Sequence, residues 1–218
     1  MIEVPIYSTA GTEVGKFQVD EALLGTTVRP ALLKQALVMY HANQRQGTVK
    51  TRTRAEVWGS TKKLYAQKGT GNARRGSIRT STMKGGGMAF GKLPRDFRQD
   101  MPLKQRRLAR NNSILAKILS NNLLVLENLT VTSPKTKQVV GVLKALHADR
   151  SVLIAIDGTD NQNLVLSARN LPKTAIKPAK EVSAWDVLTK RTMIITKTAL
   201  EGLLKSATPS KVKVKVEA

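Results

Sequence analysis

Residues 57–95 contain no Asp or Glu, a run of 39 positions. They hold nine Lys or Arg and eight Gly. Their larger apolar residues (Val57, Trp58, Leu64, Tyr65, Ile78, Met83, Met88, Phe90 and Leu93) follow no regular spacing. Such a stretch has too few aliphatic side chains to build a core, and its like charges repel. A densely anionic partner would relieve both difficulties. The chain must fold elsewhere and carry this stretch as an insertion.

The charge is concentrated. Of the net +22 on 218 residues, +15 lies within residues 45–110, where 18 Lys and Arg face only Glu56, Asp96 and Asp100. A surface built for solubility mixes both signs, whereas a concentrated basic field selects a polyanion, most commonly nucleic acid. There is no cysteine, which excludes disulfides, thiolate zinc sites and thiol nucleophiles. The longest apolar runs, such as Leu123 to Leu126 and Val152 to Ile156, are far too short to cross a membrane. The N-terminus reads as a strand carrying Glu3, without the layout of a targeting peptide. A soluble, cytoplasmic protein with no membrane partner is expected.

The expected fold is α/β: a single parallel-sheet α/β body with a long, irregular basic loop inserted between two helices. Ile2 to Tyr7 and Glu13 to Val19 read as strands around the turn Ala10-Gly11-Thr12. Pro30 opens a helix whose Leu33, Ala36, Leu37 and Tyr40 face a core, and which frays into residues 43–47. No period survives from Gly47 to about Pro102, so this is the loop. Near Leu103 a helix resumes. Leu108, Leu115, Ile118 and Leu119 form its apolar stripe, and Arg106, Arg110, Ser113 and Lys117 are expected on an opposite, charged face.

Strands and helices then alternate, which argues for a parallel sheet. Leu123 to Leu126 is a strand. Ser133-Pro134 supplies an N-cap and first-turn Pro for a helix to about His147. Val152 to Asp157 is the next strand and Asn161 to Ala168 a short helix. Ser183 starts a helix containing Trp185 and Leu188, Met193 to Thr196 is a strand, and the last helix covers about Thr198 to Lys205. The single domain thus has a body from residues 1–45 and 103–205, a loop over 46–102 and a basic tail over 206–218. The alternating Lys211 to Val216 segment of that tail is read as a frayed arm.

Enzymatic readings find little support. His41 and His147 lie on expected helices without a nucleophile or paired carboxylate nearby in sequence. Asp157-Gly158-Thr159-Asp160 follows a strand, where α/β enzymes place acids, but Asp and Gly also suit a plain turn. Residues 69–76 suggest a phosphate loop, yet they lack the Gly-Lys-Ser/Thr ending and a preceding buried strand. No catalytic residue, metal, cofactor or small-molecule substrate is expected.

Binding to RNA accounts for more. Lys and Arg neutralise phosphates. Gly85, Gly86 and Gly87 allow the backbone a tight path and close approach. Trp58, Tyr65, Phe90 and Phe97 could stack on unpaired bases or pack on the protein. No DNA-reading motif is visible, and a long arm that folds on its partner suits an irregular, folded RNA.

Several motifs carry a resemblance. They are Arg45-Gln46-Gly47-Thr48, Thr53-Arg54-Ala55-Glu56-Val57, Gln67-Lys68-Gly69-Thr70-Gly71, Ala73-Arg74-Arg75-Gly76-Ser77, Gly85-Gly86-Gly87-Met88-Ala89-Phe90-Gly91 and Pro94-Arg95-Asp96. Ser133-Pro134-Lys135-Thr136-Lys137 and Leu166-Ser167-Ala168-Arg169-Asn170-Leu171 extend them. Together they resemble the bacterial form of large-subunit ribosomal protein four, over essentially the whole chain. The sequence departs from the family at Leu64-Tyr65-Ala66, Asn72 and Thr80-Ser81-Thr82-Met83, and no specific contact is carried over to those positions.

The resemblance implies a structural, non-enzymatic component of the large ribosomal subunit whose loop enters large-subunit rRNA. Expected RNA-contacting residues are Arg45, Lys50, Arg52, Arg54, Trp58, Lys62, Lys63, Arg74, Arg75, Arg79, Lys84, Gly85, Gly86, Gly87, Phe90, Lys92, Arg95, Arg98, Arg106 and Arg110. The loop tip, Gln67, Lys68, Gly69, Thr70 and Gly71, is expected to line the nascent-peptide exit tunnel, where family members alter macrolide sensitivity. Implied partners are large-subunit rRNA, neighbouring large-subunit ribosomal proteins and, in passing, the nascent peptide.

Overall fold

The computed structural model describes residues 1–148, 151–158 and 161–207. Asp160 and the Lys211 to Val216 segment lie outside the described residues. Contacts divide the chain into two units: residues 1–40 together with the chain from 100 onward, and residues 41–99.

The first unit is built on six strands: β1 (Ile2–Tyr7), β2 (Glu13–Val19), β3 (Leu123–Leu126), β4 (Val152–Ile156), β5 (Thr174–Pro178) and β6 (Thr192–Thr196). Their order in the sheet is β2-β1-β3-β6-β4-β5. The sheet is mixed, which corrects the expectation of a parallel one. β1 and β2 form an antiparallel hairpin from Ile2↔Val19 to Tyr7↔Glu13, and all other pairings are parallel. The five residues between β1 and β2 are too few for the crossover that parallel neighbours require.

Its helices are α1 (Glu21–Leu24), α2 (Pro30–Asn43), α3 (Leu103–Leu119), α4 (Thr136–Ala145), α5 (Gln162–Ala168), α6 (Ala184–Thr189) and α7 (Lys197–Ala207), with α2 running into the second unit at its last turn. Side-chain alternation sorts the central strands onto two layers. Leu123, Val125, Leu153, Ala155, Met193 and Ile195 join one cluster with Ile114, Leu115 and Ile118 of α3 and Leu200 of α7. Leu126, Val152, Ile154, Ile156 and Ile194 join a second with Val139 and Leu143 of α4 and Leu164 of α5. Both faces are covered, as the continuous apolar runs of β3, β4 and β6 demand. β5 was not anticipated. It is an edge strand, half-buried throughout, and its terminal Pro178 sits where no further ladder bond is needed.

Two helices depart from expectation. α4 does not start at Ser133-Pro134: Lys135 is extended and lacks a side-chain cap, and the helix begins at Thr136, one turn before its first buried residue, Val139. Packing sets that start, and the segment before it is held when Asn163 Nδ2 donates to Thr132 O at 3.0 Å. α3 does not present Arg106, Arg110, Ser113 and Lys117 as one charged face. Residues 111–115 are all buried, because α1 and α6 as well as β3 pack on this helix. Ser113 is buried, Leu119 is exposed, and Lys117 donates to Lys190 O at 2.6 Å and Arg191 O at 2.8 Å. Burial pushes the Lys117 ammonium pKa below its ordinary value.

Asn112 is fully buried. Its Oδ1 accepts from Arg29 N at 2.7 Å, and its Nδ2 donates to Leu24 O and Thr27 O at 3.2 and 3.0 Å. It satisfies the turn between α1 and α2. At α6, Ser183 and Asp186 form a capping box, and Lys177 of β5 reaches Asp186 Oδ1 at 2.8 Å.

Candidate nucleic-acid interface

The second unit, residues 41–99, is here called the arm. It has no strand, and only the last turn of α2 is regular. It is nevertheless ordered by nested cross-links. From base to tip, Asn43 bonds Gln99, Gly47 bonds Arg95, Thr51 bonds Lys92, Arg52 bonds Met88, Ser60 bonds Ser77, Leu64 bonds Gly76 and Tyr65 bonds Ala73. Each pair lies inside the one before it, so the chain runs out and back as two plies. Gln67, Lys68, Gly69, Thr70 and Gly71 fall within the innermost link and are all exposed.

The arm has no core. Gly87 is its only buried residue, and the fourteen Lys and Arg outnumber two acids. Both acids are engaged locally. Glu56 accepts from Lys50 Nζ at 2.8 Å and from Thr53 N at 3.1 Å, and the Lys50 hydrogen bond holds its carboxyl below the ordinary value. Asp96 accepts from Arg98 N at 2.8 Å. Among the described residues, Lys50 is the one arm cation that pairs with a carboxylate.

The expected contact residues separate by exposure. Arg45, Lys50, Arg52, Arg54, Lys62, Lys63, Arg74, Arg75, Lys84, Lys92, Arg95 and Arg98 are exposed. Lys63 bends back to Gln67 Oε1 at 2.7 Å and Arg75 O at 3.1 Å. Arg79 is half-buried, and its Nε is shielded without a hydrogen-bond partner. In the first unit Arg106 is exposed, whereas Arg110 is half-buried and donates to Asn111 Oδ1 and Ser206 Oγ. Burial and the nearby Arg107 lower the Arg110 pKa.

The aromatics divide as well. Trp58 is 96 % exposed and Phe90 wholly so, and Phe90 holds a left-handed φ of 49°. A left-handed non-glycine residue costs roughly 1–2 kcal/mol. Tyr65 instead braces the plies through its hydroxyl bond to Ala73 O. Phe97 is roofed by two guanidinium groups, Arg45 at 3.6 Å and Arg95 at 4.3 Å from its ring centre. No signal in the sequence marks the Tyr65–Ala73 or the Arg45–Phe97 partnership, since each joins residues from opposite plies, whereas Arg95 lies two residues from Phe97 on the same ply.

Two of the triplet's glycines follow a tight path. A Cβ on Gly87 would overlap the backbone of Arg54, and one on Gly86 would overlap Thr80 O. These two glycines admit the arm's own chain at close range. Gly85 is open, as are Gly69 and Gly71 at the tip, with φ of 89° and 66° in the latter two.

Alternative chemistry is not assembled. Asp157 and Gly158 are exposed at the end of β4, and Gly158 has φ 75°, as a turn requires. Among the described residues no group of three or more His, Asp or Glu converges on a possible metal position, and no helix is long and apolar enough to cross a membrane. The model of the ribosomal protein L4/L1 family matches residues 17–206, a span that takes in both units. The chain belongs to the ribosomal protein L4/L1 family: it is a structural, non-enzymatic protein of the large ribosomal subunit that binds rRNA.

Proposed function

We propose that the arm is the segment that enters large-subunit rRNA, and that its tip lines the nascent-peptide exit tunnel. The observation that carries this reading is a 59-residue segment with one buried residue and fourteen basic side chains. Such a segment gains little from burying itself and much from neutralisation by phosphate. The exposed cations meet phosphates, Trp58 and Phe90 stack on unpaired bases, and Arg106 extends the contact onto the body. Gln67, Lys68, Gly69, Thr70 and Gly71 face the tunnel and the passing peptide. The body contacts neighbouring large-subunit proteins, and the particle works in the cytoplasm.

The test replaces residues 46–99 by a short linker. The shortened protein should keep its fold and lose most of its affinity for large-subunit rRNA. Unchanged affinity would assign binding to the body alone. For the tip, a photo-reactive group in a stalled nascent chain should label Lys68 or its neighbours, and Lys68→Glu should change macrolide sensitivity. Labelling confined to other proteins would remove the tip from the tunnel wall.

A further inference from the structure

The two plies of the arm part near its base. Gly47 O accepts from Arg95 N at 3.1 Å and Thr51 N donates to Lys92 O at 2.9 Å. Between these links, among the described residues, no backbone hydrogen bond joins residues 48–50 to residues 93–94. The cause is in the sequence. Pro94 has no N–H to donate, and three residues on one ply face two on the other. The opening is a cleft of about 750 Å³ lined by Arg45, Val49, Lys92, Leu93, Arg95 and Phe97, among others.

Its chemistry is specific. Val49 and Leu93 are 59 % and 60 % exposed, apolar surface that the arm itself leaves uncovered. Phe97, with Arg45 and Arg95 stacked on it, supplies a flat aromatic and guanidinium surface. Lys92 adds positive charge at the wall, and no carboxylate lines the cleft. Apolar walls, a planar cationic surface and backbone polar groups left open by the missing ladder bonds suit a flat heterocycle attached to a phosphate.

We infer that this cleft captures one unpaired nucleotide of the rRNA. Its base lies between Val49 and Leu93 against the guanidinium-capped Phe97, and its phosphate faces Lys92. This rests on the reading that the arm enters RNA, and it adds an enclosed base contact to the phosphate contacts and the open stacking on Trp58 and Phe90.

The experiment uses the full-length protein bound to large-subunit rRNA, with ultraviolet zero-length crosslinking and mass spectrometry of the peptide–nucleotide adducts. Adducts are expected on residues 45–49 or 91–97. Adducts elsewhere on the arm but not on these residues overturn the cleft and leave the arm reading intact. Adducts absent from all of residues 41–99 overturn both. In parallel, the Val49→Ser, Leu93→Ser double variant changes only exposed side chains. It should bind roughly tenfold more weakly, as loss of base stacking does, with the dependence of log K on log salt unchanged. Unchanged affinity, or a loss that appears only as a shallower salt slope, overturns the cleft.

Discussion

Gly87 and Gly76 belong to the same arm and answer to different constraints. Gly87 is pressed against the Arg54 backbone, whereas Gly76 has open space where a Cβ would stand and no left-handed φ. Overpacking costs about 1–3 kcal/mol. If that cost falls on the bound arm, Gly87→Ala weakens rRNA binding by roughly 5- to 150-fold, and Gly76→Ala leaves it unchanged. Filter binding with both variants checks this, and equal losses would contradict it. Asn112 is the corresponding residue in the body. Asn112→Ala leaves Arg29 N, Leu24 O and Thr27 O without their partner, so a cost of about 1–3 kcal/mol is expected. It should appear in urea as a lower midpoint with an unchanged slope. Neither role was legible in sequence, because each depends on a chain segment brought close by folding. What was legible was residue type: apolar residues where the core formed, and Gly and basic residues where none formed.

At the scale of elements, local signals succeeded where they agreed with packing. Ser183 started α6 as expected, and Asp186 completes its cap by accepting from Ser183 N at 3.0 Å. Partial burial pushes the Asp186 carboxyl upward, but bonds from Lys177 and Ser183 outweigh it and hold the pKa below the ordinary value. That stabilisation is present above the carboxyl's unfolded pKa and is lost as pH falls through the lowered folded value. Asp186→Asn should therefore lower stability at neutral pH by about 1 kcal/mol and flatten the acid limb of a stability–pH curve. A variant curve parallel to the parent's would refute the linkage. Ser133-Pro134 was an equally good start signal and failed: the helix begins at Thr136, and its first buried residue is Val139. β5 gave no periodic signal because each of its residues is half-buried, so neither alternation nor a continuous apolar run could appear.

For the whole molecule, charge and burial make one prediction from two directions. If the arm neutralises about ten phosphates, log K for rRNA should fall against log salt with a slope of roughly −7 to −9. A slope near zero would remove electrostatics as the driving force. Without RNA, the arm has cross-links but no core, so limited proteolysis of the free protein should cut first within residues 48–100 and spare the body. Equal resistance throughout would mean that the arm is stable alone.

The sequence by itself determined the α/β class and the position and composition of the basic, glycine-rich segment. These follow from charge density and hydrophobic period, which are properties of contiguous residues. Only the tertiary structure decided that residues 111–115 of α3 are buried throughout and that the acid-free run lies within a two-ply arm laced from Asn43–Gln99 to Tyr65–Ala73. Those features depend on pairings between residues distant in the chain. No local pattern encodes such pairings, because the atoms that enforce them meet only after the chain has folded.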